Sequence, residues 1–199
     1  HQGIGPKWKL TAAQDDALCL KCHEKFERDE ARIAHTHHPM GSSGSRCMNC
    51  HMPRINEGLQ DMVRSHTIFS PTNPAMIEAN EANACNLCHV EKPIDWTLKY
   101  LDQWYTANFD EDAIDRNYPA RSDSVALDWL RSDNEAVRLT AADALFRNRA
   151  KWALEDLIEA LDDPFMTNRQ FARIGIEELL GIRLVDFGYR FYMTADERR

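Results

Sequence analysis

Six cysteines and three histidines fall into one repeated pattern: Cys19-Leu20-Lys21-Cys22-His23, Cys47-Met48-Asn49-Cys50-His51 and Cys85-Asn86-Leu87-Cys88-His89. Each copy sets two thiols three residues apart, with a histidine directly after the second. In a C-x-x-C-H unit both sulfurs reach one edge of a porphyrin and add across its two vinyl groups, and the imidazole then sits under the iron as proximal ligand. The three copies use every cysteine of the chain. The pattern therefore predicts three covalent haems c, held by Cys19, Cys22, Cys47, Cys50, Cys85 and Cys88 and ligated by His23, His51 and His89. Zinc competes for Cys/His pairs, but ribbons space their pairs by roughly 15–20 residues. Here 24 residues separate Cys22 from Cys47 and 34 separate Cys50 from Cys85. Zinc also gives no reason for a histidine after each second cysteine, and neither does a disulfide scaffold.

Six-coordinate irons need a second ligand each, and five histidines lie outside the motifs: His1, His35, His37, His38 and His66. His66 heads the distal candidates, because it stands between the second and third motifs with no other histidine near it. His35 and His38 follow; three apart, they share a face if a helix reaches that far. His37 and His1 are further candidates, His1 for an iron of its own chain or of a neighbouring subunit. Met40 and Met76 are alternatives that would raise a haem potential. The supply of histidine favours two imidazoles on every iron and hence low potentials.

The elements that position these groups are helices and loops. The composition is helical from about Thr11 to Ala34, with Thr11 as a cap, and Pro39 stops this helix and biases His38 to extended backbone. Gly41-Ser42-Ser43-Gly44-Ser45 is a loop leading into the second motif. A short helix is expected from about Asn73 to Ala84, with Pro74 in its first turn. Trp96 to Tyr105 carries apolar and aromatic residues three to four apart, an amphipathic helix.

After Ala120 histidine and cysteine vanish, and two stretches repeat about 31 residues apart, Leu127 to Ala142 and Ile158 to Arg173. Each reads as a helix, a short Asp-Asn or Asp-Pro turn and a second helix, similar to HEAT repeats. About two such units span residues 122–181, fewer than the three or so that stand alone. The expected fold is thus mainly α. A loop-rich multihaem cytochrome domain built around three covalent haems occupies residues 1–120, and a short HEAT-like α-helical domain occupies residues 121–199.

The chain has 199 residues, with 24 Lys+Arg against 32 Asp+Glu and a net charge of −8. No basic stripe or nucleic-acid motif is present, which excludes nucleic acid as a partner. The acidity suits steering toward a basic surface of a redox partner protein. No stretch approaches the apolar length that crosses a bilayer, so no transmembrane segment is expected. The opening His1-Gln2-Gly3 lacks a Met, as in a mature protein after signal removal. With haem attachment outside the cytoplasm, the expected location is periplasmic or extracellular.

Arg46 to His89 resembles the C-terminal haem pair of the cytochrome c nitrite reductase family and related multihaem cytochromes. The matching features are the Gly/Ser run before Cys47, Cys50-His51-Met52-Pro53, Ser65-His66 followed by Ser70-Pro71, and Ala84-Cys85. The resemblance implies that His66 binds the haem of Cys85 and Cys88, and that the family's active-site histidine falls near His35 to His38. The chain has no C-x-x-C-K motif and carries three motifs where that family has five haems, so the resemblance implies haem packing and ligation and not the reductase activity. As a whole the chain is similar to multihaem cytochromes that join such haems to helical repeats.

The function these residues predict is electron transfer with no substrate transformed, so not an enzyme. Two alternatives stand beside it. One is a nitrogen-oxide or hydroxylamine-type oxidoreductase with one open haem, where His37, Arg46 and Arg64 would handle protons and anions. The other is a haem subunit of a larger redox complex or filament, or a homo-oligomer joined through its helical repeats.

Overall fold

The computed structural model describes residues 12–58 and 60–198. His1 with the rest of the lead-in, the expected cap Thr11 and the terminal Arg199 lie outside the described residues. The backbone is mainly helical, with one two-stranded ribbon among the described residues. Two compact units divide the chain: residues 1–53 with 66–70, and residues 54–65 with 71–199. The first carries the motifs at Cys19 and Cys47, the second the motif at Cys85. The composition boundary at 120/121 marks a different division and falls inside the second unit.

In the first unit, α1 (Ala12–Leu20) runs into the first motif. The single helix expected from Thr11 to Ala34 is interrupted there. His23 leaves helical geometry (φ −102°, ψ 49°), a short turn spans Glu24–Glu27, and Arg28 is extended before α2 (Asp29–Thr36) begins. Asp29 and Glu30 in the first turn of α2 suit its N-terminal dipole. Composition favours helix on both sides of the break, so it does not mark the tight turn the motif makes. The end of α2 is set by His37, which takes left-handed backbone (φ 55°) and closes the helix with its N–H on the Ile33 carbonyl at 2.7 Å. His38 therefore leaves the helix, and His35 and His38 do not share a helical face. The second motif is itself a helical turn, α3 (Cys47–His51).

The second unit opens with β1 (Arg54–Asn56) antiparallel to β2 (Val63–Arg64), Arg54 facing Arg64 and Asn56 facing Val63. In α4 (Pro74–Glu78) the Asn73 side chain caps the start by accepting from the Ala75 N–H at 3.0 Å. It is shorter than the expected Asn73–Ala84 helix because Asn80 turns left-handed (φ 54°), and Ala82, Asn83 and Ala84 are drawn into the interior as non-helical chain. The expected amphipathic helix is α5 (Ile94–Tyr105), which buries Ile94, Thr97, Leu98 and Leu101. Next come α6 (Glu111–Asn117), capped by Asp110, and α7 (Val125–Leu130), capped by Ser124.

The remaining helices pack in pairs: α7 against α8 (Glu135–Arg147), and α9 (Leu154–Glu159) against α10 (Met166–Leu180), with α8 also packed on α10. A final short helix is α11 (Ala195–Arg198). Arg138 and Arg169, 31 residues apart, make the same clamp: each guanidinium donates to the carbonyl six residues before it, Ser132 at 2.7 Å and Asp163 at 2.6 Å. Arg138 Nε also donates to Asp163 at 2.6 Å, which ties one pair to the next. Gly175 lets α8 and α10 approach, since a Cβ there would lie 3.1 Å from Phe146 Cβ. One apolar cluster fills this unit from Met62 through Trp129 and Leu145 to Ile176. Burial on this scale stabilises by about 25 cal/mol per Å² of apolar surface removed from water.

Candidate functional site

All three Cys/His motifs adopt the same local shape. In the first, the His23 N–H donates to the Cys19 carbonyl at 2.9 Å; in the third, the His89 N–H donates to the Cys85 carbonyl at 2.9 Å; the second is the helical turn α3. One helical turn sets residues i, i+3 and i+4 on one side. Both cysteines and the histidine of each motif thus share a face, as attachment to one macrocycle edge with a ligand beneath requires. The six cysteines are thiols, not disulfides, and each is partly or fully exposed. Cys47 is partly buried, and this burial, then the Asp16 carboxylate, pushes its thiol up to about 11.

In the first unit a buried ion pair binds the two motifs together. Asp16 of α1 accepts from Arg32 of α2 at 3.1 Å and from the backbone N–H of Cys47 at 3.0 Å. Arg32 also donates to the Phe26 carbonyl at 2.8 Å. One carboxylate thus fixes the first motif's helix, α2 and the first residue of the second motif. Around it, Phe26 lies against His35 with ring centres 4.6 Å apart, and His35 faces His51 at 6.1 Å with the two planes within 4° of parallel. His35 is itself exposed, but partial desolvation of its ring, then the neighbouring His51, lowers its pKa, which favours the neutral imidazole that binds metals. His51 Nδ1 lies 2.9 Å from the Phe69 carbonyl, which only accepts, so Nδ1 carries the proton and Nε2 is left for a ligand. A carbonyl behind the ring is the usual support of a metal-binding histidine.

In the second unit the inner residue of the third motif, Asn86, is fully buried. Its side chain accepts from the Thr97 hydroxyl at 2.6 Å and donates to the Lys92 carbonyl at 3.0 Å, and its N–H donates to Asn83 Oδ1 at 2.9 Å. Asn148 donates to the Leu87 carbonyl at 2.9 Å. The motif loop is pinned to α5 by the Asn86 side chain and to the end of α8 by the Leu87 carbonyl. Beside it runs a row of rings along the outer face of α5: His89 to Trp96 at 4.7 Å, Trp96 to Tyr100 at 4.9 Å and Tyr100 to Trp104 at 4.7 Å.

Of the expected distal ligands, the structure brings His35 to a motif histidine. His38 sits against Gly44, where a Cβ would overlap its ring, and its Nδ1 donates to the Thr36 carbonyl at 2.5 Å. His37 is exposed at the end of α2, and His66 is exposed in the 66–70 segment of the first unit. Met40 and Met76 are partly buried. Among the described residues no three His, Cys, Asp or Glu side chains converge as a metal cluster; an axially ligated haem iron, with two protein ligands, needs none. Asp16, Arg32, Phe26, Phe69 and Asn86 were not legible as site residues, because their roles rest on tertiary partners and not on spacing. No family model matches the chain, and no curated protein or solved structure matches it.

Proposed function

We propose that the chain is a trihaem c-type cytochrome that relays electrons, with haems on Cys19/Cys22, Cys47/Cys50 and Cys85/Cys88 and proximal ligands His23, His51 and His89. The observation that carries this reading is the shared turn: three separate segments, in different surroundings, close each C-x-x-C-H into one backbone turn, which puts both cysteines and the histidine on one side of it. The composition of the first unit supports it too. Among the described residues those buried there are Asp16, Arg32, Ser45 and Pro53, while Leu18, Ile33 and Ile68 are exposed. A unit of this size, with Leu18, Ile33 and Ile68 outside, would gain apolar contacts from flat covalent cofactors.

Bound haem iron would supply a one-electron couple, and the residues on hand tune it through axial ligation, hydrogen bonding behind the ligand and burial. Two imidazoles on each iron would keep the potentials low and leave no open position for a substrate. The helix pairs with their matched Arg138 and Arg169 clamps read as a short HEAT-like array that docks a partner. The acidic surface steers a basic redox partner. No helix among the described residues is long and apolar enough to cross a membrane. Attachment of haem c places the protein in the periplasm or outside the cell. Haem quantification with low-temperature EPR of the oxidised protein tests the reading. The expected result is three haems per chain with low-spin ferric signals. Zinc without haem would overturn it, and a large high-spin signal altered by nitrite or hydroxylamine would replace electron transfer with catalysis at an open iron.

A further inference from the structure

We infer that His35 and His51 are the two axial ligands of one iron, that of the haem carried by Cys47 and Cys50. This deepens the cytochrome reading and rests on it. Spacing alone set His35 and His38 side by side, ahead of His37; of the three, His35 stands beside a motif histidine.

Two imidazoles on opposite sides of a metal, with metal–nitrogen bonds of about 2.0–2.1 Å, have ring centres about 6 Å apart. His35 and His51 stand at 6.1 Å with planes 4° from parallel. A direct ring contact in the same place is shorter, as Phe26 and His35 show at 4.6 Å. Both rings are held from behind. His51 gives its Nδ1 proton to the Phe69 carbonyl, which directs Nε2 away from the backbone. His35 is in the last turn of α2, where Phe26 packs on its ring, and the buried Asp16–Arg32 pair fixes that helix to α1 and to the start of the second motif. The left-handed backbone at His37 ends α2 there, and His38 lies beyond the helix, seated on Gly44.

The parallel planes give a signature of their own. Coplanar imidazoles donate into the same iron d orbital and split the orbital pair widely, giving a rhombic low-spin EPR signal; crossed planes leave the pair nearly degenerate. The wild-type holoprotein should show a rhombic signal from one of its three irons. In His35→Ala that signal should vanish and a high-spin signal of the same intensity appear, with three haems still bound, and added imidazole should restore low spin. In His35→Met all irons should stay low-spin while one of the three midpoint potentials rises. Three haems with an unchanged EPR spectrum in His35→Ala would overturn the assignment. Should His35→Ala not accumulate, unchanged potentials at all three haems of His35→Met would do the same. A wild-type protein without haem would instead sink the cytochrome reading itself, so the two failures are distinct.

Discussion

Replacing Asp16 by Asn tests whether one buried carboxylate holds the two motifs of the first unit in register. Asp16 is 5% exposed and Arg32 is 9% exposed, and their charged atoms are 3.1 Å apart. The amide keeps an oxygen for the Cys47 N–H, so that bond survives. The Arg32 guanidinium keeps its bond to the Phe26 carbonyl and loses its counter-charge. Breaking a buried pair by removing one partner costs about 3–5 kcal/mol, because the other charge stays buried. At about 1.4 kcal/mol per tenfold change in an equilibrium constant, that is a fall of two or more orders of magnitude in the protection of amides that open with this unit. Asp16→Ala also orphans the Cys47 N–H and should lose about 1–3 kcal/mol more. A chain of two units does not unfold in one step, so the assay is hydrogen exchange by mass spectrometry on peptides from residues 12–53 of the holoprotein. Arg32→Met added to Asp16→Asn should recover most of the loss, since it removes the stranded charge. Protection in Asp16→Asn within threefold of wild type, or a double variant no better protected than the single, would refute the account.

Two further perturbations probe the second unit. Burial alone would raise the Asp163 pKa, but donors from Arg138, the Phe165 N–H and Asn168 outweigh it and hold the carboxyl below its ordinary value. A carboxyl depressed in the folded state adds stability that is present above its unfolded pKa of about 3.9 and is lost as pH falls through the folded value. Helix-pair stability followed by circular dichroism in urea should therefore drop below about pH 4, and Asp163→Asn should flatten that drop; an identical slope in wild type and variant would count against the assignment. Asn86→Ala removes the acceptor of the Thr97 hydroxyl and the donor to Lys92, and should cost about 1–3 kcal/mol. Limited proteolysis should then cut within residues 83–93 faster than in wild type, and unchanged cutting there would show that the motif loop is held by other contacts.

What the sequence made legible follows from where each constraint acts. Under the proposed function, thioether attachment would fix three positions within five residues, so the motifs stand out of the sequence without any knowledge of the fold. The helix pairs at the C-terminal end are legible for a related reason: their apolar positions recur with helical period, and Asn134 and Asp163 punctuate them at the turns. The break between α1 and α2 is not legible, because Lys, Glu and Arg favour helix on both sides of it. Whether His35 and His38 share a helical face turns on the sign of one dihedral, φ at His37. A histidine adopts the left-handed region uncommonly, and only the surrounding packing selects it.

The two units are stabilised by different means, and the proposed cofactors account for the difference. The second unit buries Trp129, Leu145, Leu157 and Ile114 fully and bonds inner polar groups of its own, Trp129 Nε1 donating to Asn80 at 2.9 Å and Tyr118 to the Ile77 carbonyl at 2.6 Å. Such a core folds on its own apolar area. The first unit buries an ion pair, which is a weak source of net stability because desolvation offsets its Coulomb attraction. It does, however, specify geometry: Asp16 meets Arg32 and the Cys47 N–H in one arrangement of α1, α2 and α3. Under the proposed function this is a sensible division. Covalent haems supply the apolar contact, and the polar residues set which thiol and which imidazole each macrocycle meets. The row of His35 and His51, parallel and backed by Phe26 and the Phe69 carbonyl, is then the product of that specification.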